Sequence, residues 1–117
     1  MFEKDMRLVV LLDCYGELIG EHRRSIMEMY YCEDLSLAEI AENTVISRQA
    51  VRESIKKGEA ELHFFEDKLR LAAKFSEFRA YCTEAADRIE QAAGMISDGD
   101  SRSALRDTAA FLRAAPF

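Results

Sequence analysis

The chain has 117 residues, with 16 basic and 22 acidic side chains and a formal net charge of −6 at pH 7. This length predicts one domain, with at most an appended helical segment, and it allows a hydrophobic core without disulfide bonds. The charge excludes a chain-wide basic surface: residues 1–70 carry 10 basic and 15 acidic groups, and residues 71–117 carry 6 and 7. Non-specific binding to nucleic acid is therefore expected to be weak, because its affinity comes from neutralised phosphates.

The composition favours an all-α chain in the cytoplasm. Pro116 is the only proline, so nothing before it forbids a helix, and Ala, Leu, Glu, Arg and Met are common. The apolar run Leu8–Leu12 is too short for a signal sequence or a membrane span. Cys14, Cys32 and Cys82 are odd in number and far apart, so we expect them to be small core residues in a reducing compartment.

Two amphipathic helices are predicted first. One covers Asp5 to about Tyr15, with apolar residues at spacings of three and four, and the other covers Glu21–Cys32. Gly16 and Gly20 bracket the break between them.

Several polar residues of these and later helices have a weak functional signal. Arg23 and Arg24 either contact a phosphate backbone or stay solvated. His22 is expected to be exposed, and His63 has no partner at metal-ligand spacing.

The segment Leu35–Leu62 has the pattern of a helix-turn-helix. Ser36 is an N-cap residue and Glu39 completes a capping box, so a short helix is predicted to begin there. About four residues later, Ser47 offers a second N-cap, and apolar residues continue along the helix that follows. One use of this unit is to place its second helix in the DNA major groove.

The second helix of this motif has a basic edge. Arg48, Arg52 and Lys56 are four residues apart, and from Ser47 to Lys57 the charge is +3, with Glu53 as the only acid. The segment Glu28–Glu42, by contrast, has five acids and no base. A basic cluster on the helix that would enter a groove predicts contact with DNA or RNA. The predicted nucleic-acid-binding residues are Ser47, Arg48, Gln49, Arg52, Lys56 and Lys57.

The motif is similar to region 4 of bacterial sigma factors, and over roughly Leu11–Phe75 the chain resembles the YlxM family of small helix-turn-helix proteins. The residues that carry the resemblance are Glu39–Ala41, Ile46–Val51, Leu11–Asp13, Tyr15–Leu18 and Tyr30–Ser36. The resemblance implies an all-helical fold, no catalysis and a nucleic-acid-binding role. Genes of that family lie beside those of signal-recognition-particle GTPases, which implies a regulatory or accessory role in that pathway.

The turn of the motif departs from its usual pattern. Gly, Asn or Asp is favoured there because the backbone often takes a positive φ, but this chain has Val45. A β-branched residue is strained at positive φ. We therefore predict Val45 to be the unusual point of the turn; the alternatives are that Asn43 takes the left-handed conformation or that the turn is built differently.

Long helices are predicted after the motif. The first continues as an apolar seam with a bend near Arg70–Lys74, and a second apolar stripe then runs from Phe75 to Ile96. Gly99 is expected to end that helix and Ser101 to cap a last helix, Arg102–Arg113. The predicted seam is Val51, Ile55, Gly58, Leu62, Phe65 and Leu69, and the predicted stripe is Phe75, Phe78, Cys82, Ala85, Ile89, Ala92 and Ile96.

These patterns predict a helix-turn-helix domain over residues 1–70 and a C-terminal helical segment over residues 71–117. The stripe either folds back as a hairpin on Glu59–Leu69 or pairs with a second chain, and a homodimer is favoured because dimeric helix-turn-helix proteins match two half-sites.

Two other classes of function remain. In one, the scaffold is a protein-interaction module that uses its acidic segment Glu28–Glu42 or its C-terminal helices to meet a partner in the targeting or transcription machinery. In the other, the protein is an enzyme, but the sequence has no Gly-rich phosphate loop, no Gly-x-Ser-x-Gly and no His-Glu-x-x-His. We therefore expect no catalytic residues, no metal and no cofactor.

Overall fold

The computed structural model describes residues 4–115, so Pro116 lies outside the described part of the chain. Within these residues there are six α-helices and no strand, and a single 3₁₀ turn covers Gly16–Leu18 at the predicted break. The all-α prediction is therefore confirmed. The helices are α1 (Arg7–Tyr15), α2 (Glu21–Tyr31), α3 (Leu37–Thr44), α4 (Arg48–Leu69), α5 (Leu71–Gly94) and α6 (Gly99–Arg113).

The helices α1 to α4 enclose one hydrophobic core within a compact unit that ends at Ala72. The apolar positions of each helix recur at spacings of three and four, which places them on one face. The largest fully buried side chains are those of Tyr15, Ile26, Met27, Ile40, Val51 and Leu62.

The crossing of α2 and α4 depends on Gly58. A Cβ atom at this position would lie 2.6 Å from Sδ of Met27, which is itself fully buried. The absence of a side chain thus lets α2 approach α4 closely. The buried part of the predicted seam ends at Leu62, since Phe65 is half-buried and Leu69 is 46% exposed.

The predicted bend after α4 is confirmed. Arg70 has the left-handed φ of 55°, and α5 begins at the next residue. The hydroxyl of Tyr15 accepts a hydrogen bond from the Leu71 amide at 3.0 Å, and Oε1 of Glu66 accepts one from the Ala72 amide at 3.0 Å. These bonds satisfy amides at the start of α5 that have no partner within the helix.

A second compact unit begins at Ala73 and contains most of α5 together with α6. Arg113 joins the two helices, because its guanidinium donates to Glu90 Oε1 at 2.8 Å and to Asp87 Oδ1 at 2.5 Å. Arg102 also donates to the Ile96 carbonyl oxygen. These bonds tie α6 to the last turns of α5 and to the loop that follows.

Two details of the second unit differ from the prediction. α5 ends at Gly94, before the predicted Gly99, and Asp98 rather than Ser101 caps α6. The reason is that the Asp98 carboxylate accepts from both the amide and the hydroxyl of Ser101, at 3.0 and 2.6 Å. These bonds lower the pKa of Asp98.

The buried line of α5 is also displaced from the predicted stripe. The fully buried residues of α5 are Ala86 and Ala93, each one position after a predicted stripe residue, and Ala92 is exposed. Phe75 and Phe78 are 37% and 49% exposed. Ala109 is the fully buried residue of α6.

The cysteine prediction was wrong in one case. Cys14 and Cys82 are half-buried, whereas Cys32 is exposed because it lies at the C-terminal end of α2, outside the core. Within residues 4–115, no helix is long and apolar enough to cross a membrane.

Candidate nucleic-acid interface

α3 and α4 form the two helices of the predicted helix-turn-helix, and side chains cap both. Ser36 Oγ accepts from the Glu39 amide and Glu39 Oε1 accepts from the Ser36 amide, each at 3.1 Å, so the predicted capping box is present. These bonds lower the pKa of Glu39. Ser47 Oγ accepts from the Ala50 amide at 3.0 Å, as predicted for the start of α4.

The turn between the helices contains the predicted strain at Val45. This residue has φ 58° and ψ 39°, in the left-handed region that β-branched side chains avoid, and its side chain is 89% exposed. The alternative at Asn43 is wrong, since Asn43 lies within α3. The amides of Val45 and Ile46 both donate to the Ala41 carbonyl oxygen, so hydrogen bonding holds the turn in this conformation.

The position of α4 in the core decides which of its side chains face outward. Val51, Ile55 and Leu62 are buried against the other helices. The residues predicted to bind nucleic acid fall on the remaining surface, where all six are exposed. The structure therefore brings Ser47, Arg48, Gln49, Arg52, Lys56 and Lys57 together on the first half of one helix and its N-cap.

The cations of this surface are not used by the fold. Within residues 4–115, no hydrogen bond or ion pair engages the side chains of Arg48, Arg52, Lys56 or Lys57. Gln49 is different, because its Nε2 donates to Glu53 Oε1 at 3.3 Å. Four cations thus remain available to an anionic partner, while the single acid of this segment is bonded to the neighbouring amide.

The arginines of α2 are bonded internally. Arg23 donates to Glu61 Oε1 at 2.5 Å and to Ser54 Oγ at 3.4 Å, and Arg24 pairs with Glu28 at 3.0 Å. Both arginines are therefore held in ion pairs rather than freely solvated.

The acidic segment Glu28–Glu42 is partly neutralised in the same way. Besides the Glu28 pair, Asp34 bonds to the Lys4 ammonium at 3.0 Å, and Glu39 belongs to the capping box. Lys4 also donates to two carbonyl oxygens and lies 4.0 Å from the centroid of the Tyr30 ring. Two of the five acids, Glu28 and Asp34, are therefore offset by cations from outside the segment, whereas Glu39 keeps its charge in the capping box.

The second half of α4 is tied to the core by three acids that the sequence analysis missed. Glu59 accepts from the Tyr31 hydroxyl and Glu61 accepts from Arg23. Glu66 accepts from the Tyr15 hydroxyl at 2.6 Å. Burial, and then the hydrogen bond to its carboxylate partner, raises the pKa of each tyrosine. No local spacing indicated these pairs, because their members lie 28 to 51 residues apart.

Metal chemistry has no support in the described part of the chain. It contains no group of three or more histidines, cysteines or acids placed to hold a metal ion, and His22 and His63 are both exposed.

Comparisons with known proteins agree with this architecture. Residues 2–101 match the family described as "Putative helix-turn-helix protein, YlxM / p13 like". A UPF0122 protein of Bacillus thuringiensis is 51% identical over 77 residues, covering 66% of this chain and 70% of that protein. A UPF0122 protein of Halalkalibacterium halodurans is 45% identical over 91 residues, covering 75% and 84%. No solved structure matches the chain. The chain belongs to the YlxM / p13-like helix-turn-helix family.

Proposed function

We propose that the protein is a nucleic-acid-binding regulatory or accessory factor that inserts the first half of α4 into a groove of duplex DNA. The observation that carries this proposal is a set of four exposed cations directly after the Ser47 cap, none of which forms an ion pair within residues 4–115. An N-terminal helix end supplies backbone amides and a positive dipole to a phosphate, so the cap and the cations favour the same ligand. The membership of a helix-turn-helix family agrees with it.

The position of each side chain along α4 suggests its role. Arg48, Gln49 and Arg52 lie in the first turns, which enter the groove in helix-turn-helix proteins, and they are suited to base edges. A bidentate arginine–guanine pair contributes about 1–3 kcal/mol of discrimination. Lys56 and Lys57 lie later on the helix and are assigned to phosphates.

The proposed cellular location and pathway rest on the resemblance to YlxM proteins. We propose a cytoplasmic, non-catalytic factor that acts in or beside the signal-recognition-particle pathway. Two ligands follow from that setting, a DNA operator and the RNA of the particle itself. DNA is preferred because the second helix of a helix-turn-helix commonly enters the major groove of DNA.

A homodimer belongs to the same proposal. Large apolar side chains of the second unit are exposed, with Tyr81 at 76%, Met95 at 87% and Phe111 at 78%. A second copy that covered them would also present a second α4 to a second half-site. Sedimentation equilibrium of the intact chain at micromolar concentration tests this: a dimer is expected, and a monomer contradicts it.

The functional test is a selection of bound DNA from a random duplex pool, run beside signal-recognition-particle RNA at two salt concentrations. Enrichment of a duplex sequence is expected, and Arg52→Ala is expected to weaken binding to it. If neither pool is enriched and Arg52→Ala changes nothing, the proposal is wrong. Arg24→Ala is the matched control, since Arg24 is bonded to Glu28 and should not affect binding.

A protein-interaction module remains the second candidate, and the acidic segment favours it. Glu33 and Glu42 are exposed, and their side chains form no hydrogen bond or ion pair within the described residues. Under this alternative, Glu33→Gln with Glu42→Gln abolishes partner capture, while Arg48→Gln with Arg52→Gln leaves it unchanged. Loss of duplex binding in the Arg48→Gln with Arg52→Gln variant, but not in the Glu33→Gln with Glu42→Gln variant, supports the nucleic-acid proposal.

A further inference from the structure

A groove runs between α2, α3 and the middle of α4. Its volume is about 300 Å³, and it is lined by Tyr30, Leu37, Arg52, Ile55, Lys56 and Glu59. This size lies at the lower end of the range for ligand pockets, so it holds a few side chains rather than a large molecule. The groove lies entirely within the unit that ends at Ala72.

The groove has apolar and charged parts. Tyr30 of α2 and Leu37 of α3 are half-buried and provide most of the apolar surface, and Ile55 of α4, which is 5% exposed, adds a small part. The Tyr30 ring is held in place, since the Lys4 ammonium lies 4.0 Å from its centroid and the Tyr31 ring packs edge-on at 5.0 Å. The apolar surface is therefore fixed before any partner arrives.

The charges at the groove are predominantly positive. Arg52 and Lys56 are exposed and form no ion pair in residues 4–115. The one lining acid, Glu59, already accepts the Tyr31 hydroxyl. A partner with an apolar side chain for the apolar part of the groove and carboxylates for Arg52 and Lys56 complements both parts.

The spacing of Arg52 and Lys56 favours a helical partner. Arg52 and Lys56 are four residues apart on one helix, a rise of about 6 Å. Two acids four residues apart on a partner helix have the same separation. A nucleic-acid backbone can neutralise the cations, but it has no aliphatic group that matches the surface of Leu37 and Ile55.

We propose that this groove binds an acidic amphipathic helix of a partner protein, with a leucine-sized side chain against Leu37 and Ile55 and two carboxylates on Arg52 and Lys56. These two cations also belong to the proposed nucleic-acid surface, so the peptide and the nucleic acid compete for them. Binding of the acidic helix would therefore displace nucleic acid from this surface, a consequence that rests on the proposed function.

The test uses the full chain and a short fluorescein-labelled helical peptide with two glutamates four residues apart and a leucine on the same face. Fluorescence polarisation is measured without nucleic acid, so the result does not depend on the proposed function. We expect saturable binding that Arg52→Gln with Lys56→Gln weakens by about tenfold, and Lys57→Gln by less than about twofold. Lys57 is the matched control because it is exposed and unpaired but does not line the groove.

Two altered peptides separate the groove from simple charge attraction. Replacing the leucine by serine, or the glutamates by glutamines, is expected to reduce binding strongly. The proposal is overturned if the serine peptide binds as well as the original, if Lys57→Gln weakens binding as much as the double variant, or if the original peptide does not bind.

Discussion

The two halves of α4 use their charged residues in opposite ways. In residues 58–69 three acids, Glu59, Glu61 and Glu66, bond to tyrosine and arginine side chains of α1 and α2. In residues 48–57 the four cations remain exposed and unpaired within the described chain. One half therefore anchors the helix, and the other presents charge to a partner.

This division shows why the sequence count of charge is a poor guide to function. The chain is acidic overall, but several of its acids form ion pairs with basic side chains within the fold. Four of the cations that form no ion pair within residues 4–115 lie close together on residues 48–57. A net charge of −6 is thus compatible with a local surface suited to an anion.

The largest expected change in stability comes from a substitution at Gly58, where the two halves of α4 meet. Replacing Gly58 by Ala places a methyl group 2.6 Å from Sδ of the fully buried Met27. We expect the free energy of unfolding to fall by about 2 kcal/mol, because overpacking outweighs the higher helix propensity of alanine. Urea unfolding measures this change.

Gly94→Ala is the control for Gly58→Ala. No atom lies within 4 Å of a Cβ at Gly94, so this variant should be neutral or up to about 1 kcal/mol more stable. Equal effects at the two glycines would show that Gly58 does not set the approach of α2 to α4.

A smaller loss of stability is expected when Tyr31, which bonds to Glu59 in the second half of α4, is changed. Tyr31→Phe removes the hydrogen bond to Glu59 and should reduce the free energy of unfolding by about 1–2 kcal/mol at neutral pH. Urea unfolding at pH 7 tests it, and no loss would show that this contact does not anchor α4.

The same residue predicts an alkaline dependence of stability. Burial, and then the bond to Glu59, raises the pKa of Tyr31, so the folded chain keeps a proton that the unfolded chain loses near pH 10. Stability of the unaltered protein should therefore fall as pH rises above about 10. Tyr31→Phe should flatten this fall, and Tyr30→Phe, whose hydroxyl has no hydrogen bond within residues 4–115, should not.

The smallest change in stability is expected at the turn between α3 and α4, which precedes residues 48–57. Val45→Gly and Val45→Asn should be neutral or stabilising by up to about 1 kcal/mol, because both residues tolerate positive φ. Val10→Gly, at an exposed position in the interior of α1, should instead cost about 1 kcal/mol. A clear loss for both Val45 variants in thermal unfolding would contradict the strain assigned to Val45.

Local chemistry explains which parts of this structure the sequence could predict. The caps at Ser36 and Ser47, the bend after Leu69 and the strain at Val45 depend on residues close together in the chain. The cap of α6 was missed because Asp98 and Ser101 are both good N-cap residues, and only the geometry decides between them.

The candidate site was predictable only in part for the same reason. The basic edge of α4 follows from helical spacing alone. Whether an arginine is free follows from partners far along the chain: Arg23 meets Glu61, 38 residues away, and Arg52 meets no such acid in the described chain. Helical spacing placed Arg52 on the basic edge, but no local pattern indicated the pairing of Arg23 with Glu61.

The most direct test of the account compares the salt dependence of DNA binding for Lys57→Gln and Arg24→Gln. Each variant removes one positive charge, but Lys57 lies on the presenting half of α4 and Arg24 is paired with Glu28. On the selected duplex, Lys57→Gln should reduce the slope of log affinity against log salt concentration by about one, and Arg24→Gln should leave it unchanged. Equal changes in slope for the two variants would contradict the claim that the free cations of α4 form the nucleic-acid interface.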